Sequence, residues 1–142
     1  MNEKMELKNE FMFGMDIILA PPYSITEGRV VHAVAPASLG EVVGPKLKGT
    51  VVHGGDWGIR QKDGSVRTDV RVVIKTDDEA YIYLYYSGIL YMQEDNQIYV
   101  RTNAIFEASG KYEWLNRVFA IGIGSNFDPK AGKLHYDFYQ VF

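Results

Sequence analysis

Val66-Arg67-Thr68-Asp69-Val70-Arg71-Val72-Val73-Ile74-Lys75 sets β-branched residues at every second position, 66, 68, 70, 72 and 74, against Arg67, Asp69, Arg71 and Lys75 in the alternate row. A period of two is that of a strand with one buried face, whereas a helical face would repeat every 3.6 residues. Tyr81–Leu90 follows, opening Tyr-Ile-Tyr-Leu-Tyr-Tyr, aromatic and aliphatic content that again favours a strand. Asp77-Asp78-Glu79 between them is turn chemistry, so the two runs predict an antiparallel hairpin.

Outward from this hairpin, Met5–Leu19, Gly28–Val34, Pro45–His53, Ile98–Ala108, Val118–Gly124 and Lys133–Val141 read as further strands. Pro21-Pro22, Ala35 to Gly40, Asp95-Asn96 and Asp128-Pro129 separate them as turn formers or strand breakers. The one helical candidate, Lys111–Asn116, is a single turn, too short to be stable alone. Short strands without crossover helices predict an all-β domain, and an antiparallel barrel of about eight strands would leave no exposed sheet edge. The interior of such a barrel is either filled by side chains or holds one small ligand.

Composition narrows the function. A chain of 142 residues suits a single domain spanning 1–142, and 46% hydrophobic with 23% charged residues is ordinary for a globular protein. A net charge of −3 with both signs interspersed offers no positive field for a phosphate backbone, so no nucleic-acid partner is expected. Cysteine is absent, which removes disulfides, thiolate catalysis and cysteine-held zinc. His32, His53 and His135 stand singly without ligand spacing, so neither a metal nor another cofactor is expected. Gly122-Ile123-Gly124 is half of a dinucleotide fingerprint, but no helix follows it. Phe11–Ala20 is apolar yet interrupted by Asp16 and too short to span a bilayer; the expectation is a cytoplasmic protein with no membrane partner.

The hairpin register decides which way the charged row of Val66–Lys75 points. A turn of two or four residues pairs Arg71 with Leu84 and Asp69 with Tyr86, and a turn of three pairs them with Tyr85 and Ser87. A three-residue loop normally wants Gly in the left-handed position that Glu79 would occupy, so the sequence leans only weakly either way. Either Asp69 and Arg71 lie on a solvated outer face or they line a polar lumen; the outer face leads, since charged strand residues are mostly exposed.

Gly54-Gly55-Asp56-Trp57 ends another strand with two residues that lack side chains, then a carboxylate and an indole. Asp56 reads equally as a general base in a pocket and as a side chain capping the bend. Trp57 reads first as core and second as a platform for a ligand. Asp56 and Asp69 are the candidate bases, and Arg71 and Arg101 the candidate stabilisers of developing negative charge. Tyr85, Trp114 and Asn116 join Trp57 as candidate ligand contacts, with packing as the plainer role for the aromatics and helix capping for Asn116.

Taken in order, Gly44-Pro45-Lys46-Leu47-Lys48-Gly49, His53-Gly54-Gly55-Asp56-Trp57, Asp63-Gly64, Asp69-Val70-Arg71, Thr76-Asp77-Asp78, Arg101-Thr102 with Phe106-Glu107, and Tyr112-Glu113-Trp114-Leu115-Asn116 resemble the signature of a bacterial and fungal family, the domain of unknown function 3237. The resemblance spans nearly the whole chain and implies a lipocalin-like, or calycin-like, barrel without implying any established activity. It also marks Asp69, Arg71, Arg101 and the Trp114-Leu115-Asn116 block as a site. Where the family tends to carry Gly after the paired acids, this chain has Glu79.

Three functions fit these readings. The first is an acid/base enzyme of isomerase, hydratase or cyclase type acting on an oxygenated or aromatic compound in the barrel lumen. The second is a carrier or sensor of an unidentified small molecule. The third is an oligomeric structural protein with a filled barrel, and self-association as a homo-oligomer accords with all three.

Overall fold

The predicted hairpin forms, and the sheet closes around it. A computed structural model describes residues 3–34 and 40–142. Its strands are β1 (Asn9–Ile18), β2 (Tyr23–Ser24), β3 (Arg29–Ala33), β4 (Glu41–Val43), β5 (Gly49–Arg60), β6 (Val66–Thr76), β7 (Tyr81–Met92), β8 (Ile98–Glu107), β9 (Phe119–Asp128) and β10 (Lys133–Val141), with a 3-10 helix at Gly110–Arg117. Every pairing is antiparallel. The order β5-β4-β1-β10-β9-β8-β7-β6, with β6 pairing back to β5, closes a barrel of eight strands; β3 and β2 extend from the far half of β5.

The boundaries differ from the sequence reading where packing is missing. Met5 and Leu7 are exposed and β1 starts only at Asn9, where Val141 of β10 becomes available to pair. The run expected over Pro45–His53 divides: β4 precedes it, the Gly44–Lys48 segment turns, and β5 continues through both glycines to Arg60. The breaker Ala35 to Gly40 falls, except for Gly40, outside the described residues. No helix among the described residues is long and apolar enough to cross a membrane.

The β6–β7 hairpin takes the three-residue register, Arg71 opposite Tyr85 and Asp69 opposite Ser87. Glu79 accepts the left-handed position, φ 70°, and Thr76 secures the loop by donating its N–H to the Ala80 carbonyl while its Oγ1 accepts from Ala80 N–H. Asp78 ties the turn to the 3-10 helix, accepting from Thr76 Oγ1 at 2.6 Å and Tyr112 Oη at 2.8 Å and pairing with Lys111. Hydrogen bonds from Lys111, Thr76 and Tyr112 hold its carboxyl well below the usual carboxylate range.

Inward rows fill one half of the barrel. Val70, Val72 and Ile74 of β6 meet Ile82 and Leu84 of β7, Ala104 and Phe106 of β8, and Phe13 and Phe138 across the interior. β9 contributes Ala120, Gly122 and Gly124, small residues opposite large ones: a Cβ on Gly122 would stand 2.7 Å from the Phe138 ring. Leu115 of the 3-10 helix is fully buried and plugs the end at which β8 finishes. The third sequence reading, a barrel filled throughout, holds for this half only.

Candidate functional site

The other end of the barrel is open. Strands β6 and β8 start there and β7 ends there, since Val66 pairs with Leu90 and Met92 with Ile98. A cavity of about 500 Å³ lies between these strand ends, β3, β5 and the β9–β10 turn, a size suited to one small ligand. Its walls are apolar, with Leu19, Pro22, Val30, Leu90 and Phe127 among them, and its polar groups are few.

Asp56 is the acid inside it. The alternation of β5 slips by one residue at a bulge between Val51 and His53, so Gly54, Asp56 and Gly58 face inward rather than Gly55 and Trp57. Gly54 permits this because a side chain there would overlap the Arg71 carbonyl. Asp56 is 8% exposed and accepts a hydrogen bond from Asp69 N–H at 3.2 Å. Burial raises its pKa above the ordinary carboxylate value; the bond from Asp69 and the nearby His32 pull the other way without cancelling the effect. Asp56 is thus a pocket carboxyl, not a cap on a glycine bend.

Three groups surround it that the sequence did not single out as a site. His32 is its cross-strand neighbour on β3 and lines the cavity; its Nδ1 lies 2.9 Å from the Ala20 carbonyl, which can only accept, so that nitrogen carries the hydrogen. Thr68, one of two threonines in the inward row of β6 and the one that lines the cavity, is 4% exposed and its Oγ1 has no hydrogen-bond partner among the described residues. Tyr86 lies beneath, edge-on to Tyr136 with ring centroids 5.0 Å apart, and its hydroxyl also lacks a partner. Burial, with the proximity of Asp56, pushes both phenols up, so they stay protonated as potential donors. The polar exception in an apolar row was a legible signal for Thr68; Tyr86 gave none apart from its phase.

The remaining candidates lie outside the lumen. Asp69, Arg71 and Tyr85 belong to the outer rows of β6 and β7. Arg71 rests over the Tyr85 ring at 4.7 Å and the Trp57 ring at 5.8 Å, with Asp69 at 3.7 Å. Trp57 is 41% exposed and forms part of this outer cation–π stack, which corrects its reading as core. Arg101 is also on the outer face, stacked over Tyr99 at 4.4 Å and donating to the Val100 carbonyl. Neither arginine reaches the Asp56 cavity. Asn116 clamps the backbone before the 3-10 helix, donating to the Ala108 carbonyl and accepting from Ala108 N–H, and is no lumen amide; Trp114 is exposed on that helix. No cluster able to hold a metal ion occurs among the described residues.

Known proteins resemble this chain in sequence and in fold. The chain is 31% identical to a hydroalkoxylation enzyme of Penicillium herquei, the match covering 84% of this chain and 75% of that one. It is 30% identical to a UPF0311 protein of Clostridium acetobutylicum, over 80% of this chain and 84% of the relative. A β-barrel-like protein of Acinetobacter baumannii superposes with a TM-score of 0.86 at 23% identity, covering 100% of both chains. The family described as protein of unknown function (DUF3237) matches residues 7–141, and the chain belongs to it.

Proposed function

We propose that this DUF3237 member is an acid/base enzyme that adds an O–H group across a carbon–carbon double bond of a small, largely apolar molecule held in the open half of the barrel. The observation that carries the reading is the buried carboxyl of Asp56, its pKa raised above the ordinary carboxylate value by burial, inside an apolar cavity with few other polar groups. Burial makes such a carboxyl a better proton acceptor, and it can return the proton it takes. The similarity to a hydroalkoxylation enzyme supports the same chemistry.

The step balances without a co-reactant. Asp56 takes the proton of the substrate hydroxyl as its oxygen attacks the alkene carbon; one C–O bond forms and the π bond breaks. The proton then returns from Asp56 to the neighbouring carbon, forming the C–H bond. Thr68, which lines the cavity, and Tyr86 beneath it carry neutral hydroxyls without a partner among the described residues, and these can donate to the charge that builds up between the two transfers. Arg71 and Arg101 have no part in it, because both lie on the outer face.

The test uses phenols carrying an internal enone, of which 2'-hydroxychalcone is the simplest, with ring closure followed by loss of enone absorbance. The protein should accelerate closure, and Asp56→Asn should abolish the acceleration while the phenol still binds. Binding without acceleration in the unaltered protein would identify a carrier instead.

A further inference from the structure

We infer that the ligand of this cavity carries a carboxylate at the end opposite its hydroxyl, and that Arg60 and Lys130 receive it at the barrel mouth; the inference rests on the reading of Asp56 as the group that meets the hydroxyl. Asp56, Gly58 and Arg60 occupy alternate positions of β5 and all three line the cavity, so one strand carries the acid at the floor and a cation at the rim. Strand rise of about 3.3 Å per residue separates the two positions by about 13 Å. Between them stands Gly58, which adds no side chain to the wall. Arg60 is fixed in register by its N–H, which donates to the Gly28 carbonyl at 2.7 Å.

Lys130 comes from the β9–β10 turn on the other side of the mouth, where Asp128 Oδ1 accepts from its backbone N–H at 3.0 Å. Neither Arg60 nor Lys130 has an ion-pair partner among the described residues, and Asp56 is the only acidic side chain described on the lining. Charge is therefore polarised along the cavity, two cations at the rim and one carboxyl at the floor. A molecule with a hydroxyl and a carboxylate about 10–13 Å apart satisfies both ends. The reverse orientation would set a carboxylate against Asp56. Apolar walls between the ends select a flat or ringed body.

The test compares 4'-hydroxybiphenyl-4-carboxylate with 4-phenylphenol, the same body without the charge, by isothermal titration calorimetry on the whole protein. The carboxylate should bind about fivefold tighter, the scale of a solvent-exposed charge pair, and the preference should fade in high salt. The double variant Arg60→Gln/Lys130→Gln should bind the two compounds equally while keeping its affinity for 4-phenylphenol. Equal binding to the unaltered protein, or a preference that survives in the double variant, overturns the assignment while leaving the cavity and Asp56 as described. Failure of both compounds to bind would overturn it together with the ligand-binding reading of the cavity.

Discussion

Thr68→Val changes one buried hydroxyl into a methyl group at constant shape. Thr68 Oγ1 is enclosed and without a hydrogen-bond partner among the described residues. An unpaired buried polar group costs about 1–3 kcal/mol, and the methyl that replaces it adds up to about 0.8 kcal/mol of transfer free energy. Both effects have the same sign, so the free protein should become more stable by about 1–4 kcal/mol. With a urea m value of about 2 kcal/mol/M, the unfolding midpoint should rise by about 0.5–2 M. The same substitution should weaken phenol binding, because Thr68 lines the cavity and a rotation about χ1 turns its enclosed hydroxyl toward a ligand. Thr102→Val is the control. Thr102 Oγ1 is equally buried and unpartnered, stands opposite Gly88 one strand beyond β7, and does not line the cavity. It should gain stability with binding unchanged. A lowered midpoint in Thr68→Val would refute the reasoning, since the hydroxyl would then be paired in the free protein.

The opposite end of the barrel should be separable from the site: Leu115→Ala removes a fully buried plug and should cost about 2–5 kcal/mol in urea unfolding without altering phenol affinity. Gly88→Ala should cost more than about 4 kcal/mol or prevent folding, because a Cβ there overlaps the Arg101 carbonyl of the neighbouring strand; circular dichroism melting reads this directly. His135 faces Asp16 and Asp137 at 2.9 Å from each ring nitrogen, and only a doubly protonated ring donates to both. Burial works against that charge, but the two carboxylates outweigh it and raise the pKa above 6.5. A raised histidine pKa stabilises fully below the unfolded value and is lost as pH climbs through the folded one. The urea midpoint should therefore fall as pH rises from about 6.5 through that higher value, and His135→Gln should remove this slope.

The fold was legible because each long strand carries its own period. Residues 66–76 alternate with two threonines, Thr68 and the terminal Thr76, in an otherwise apolar inward row, and β8 repeats the pattern with Val100, Thr102, Ala104 and Phe106 inward. What sequence could not settle were features held by distant partners. The hairpin register required a left-handed Glu79, which local preference disfavours and which the bonds between Thr76 and Ala80 enforce, with Asp78 anchoring the turn to Lys111 and Tyr112. Strand β2, two residues long, has too few positions to show any period. The polar hallmarks Asp69, Arg71 and Arg101 alternate faithfully with buried neighbours, and that alternation itself places them outside.

The site turned on a single extra residue. Counting by twos from Val51, which is buried, leads to His53, Gly55 and Trp57 as the inward row and puts Asp56 outside. The bulge before His53 reverses this from Gly54 onward, so the carboxyl enters the barrel and the indole leaves it for the Arg71 stack. No local propensity announces the slip, because its cause lies on β6: Val51 pairs with Ile74 and His53 with Val73, so two residues of β5 advance the register by one of β6. The glycine pair is what allows it, since Gly54 lies against the Arg71 backbone where a side chain could not fit. The same slip sets Gly58 and Arg60 on the cavity wall above Asp56, so floor acid, bare wall and rim cation share one phase and stand or fall together.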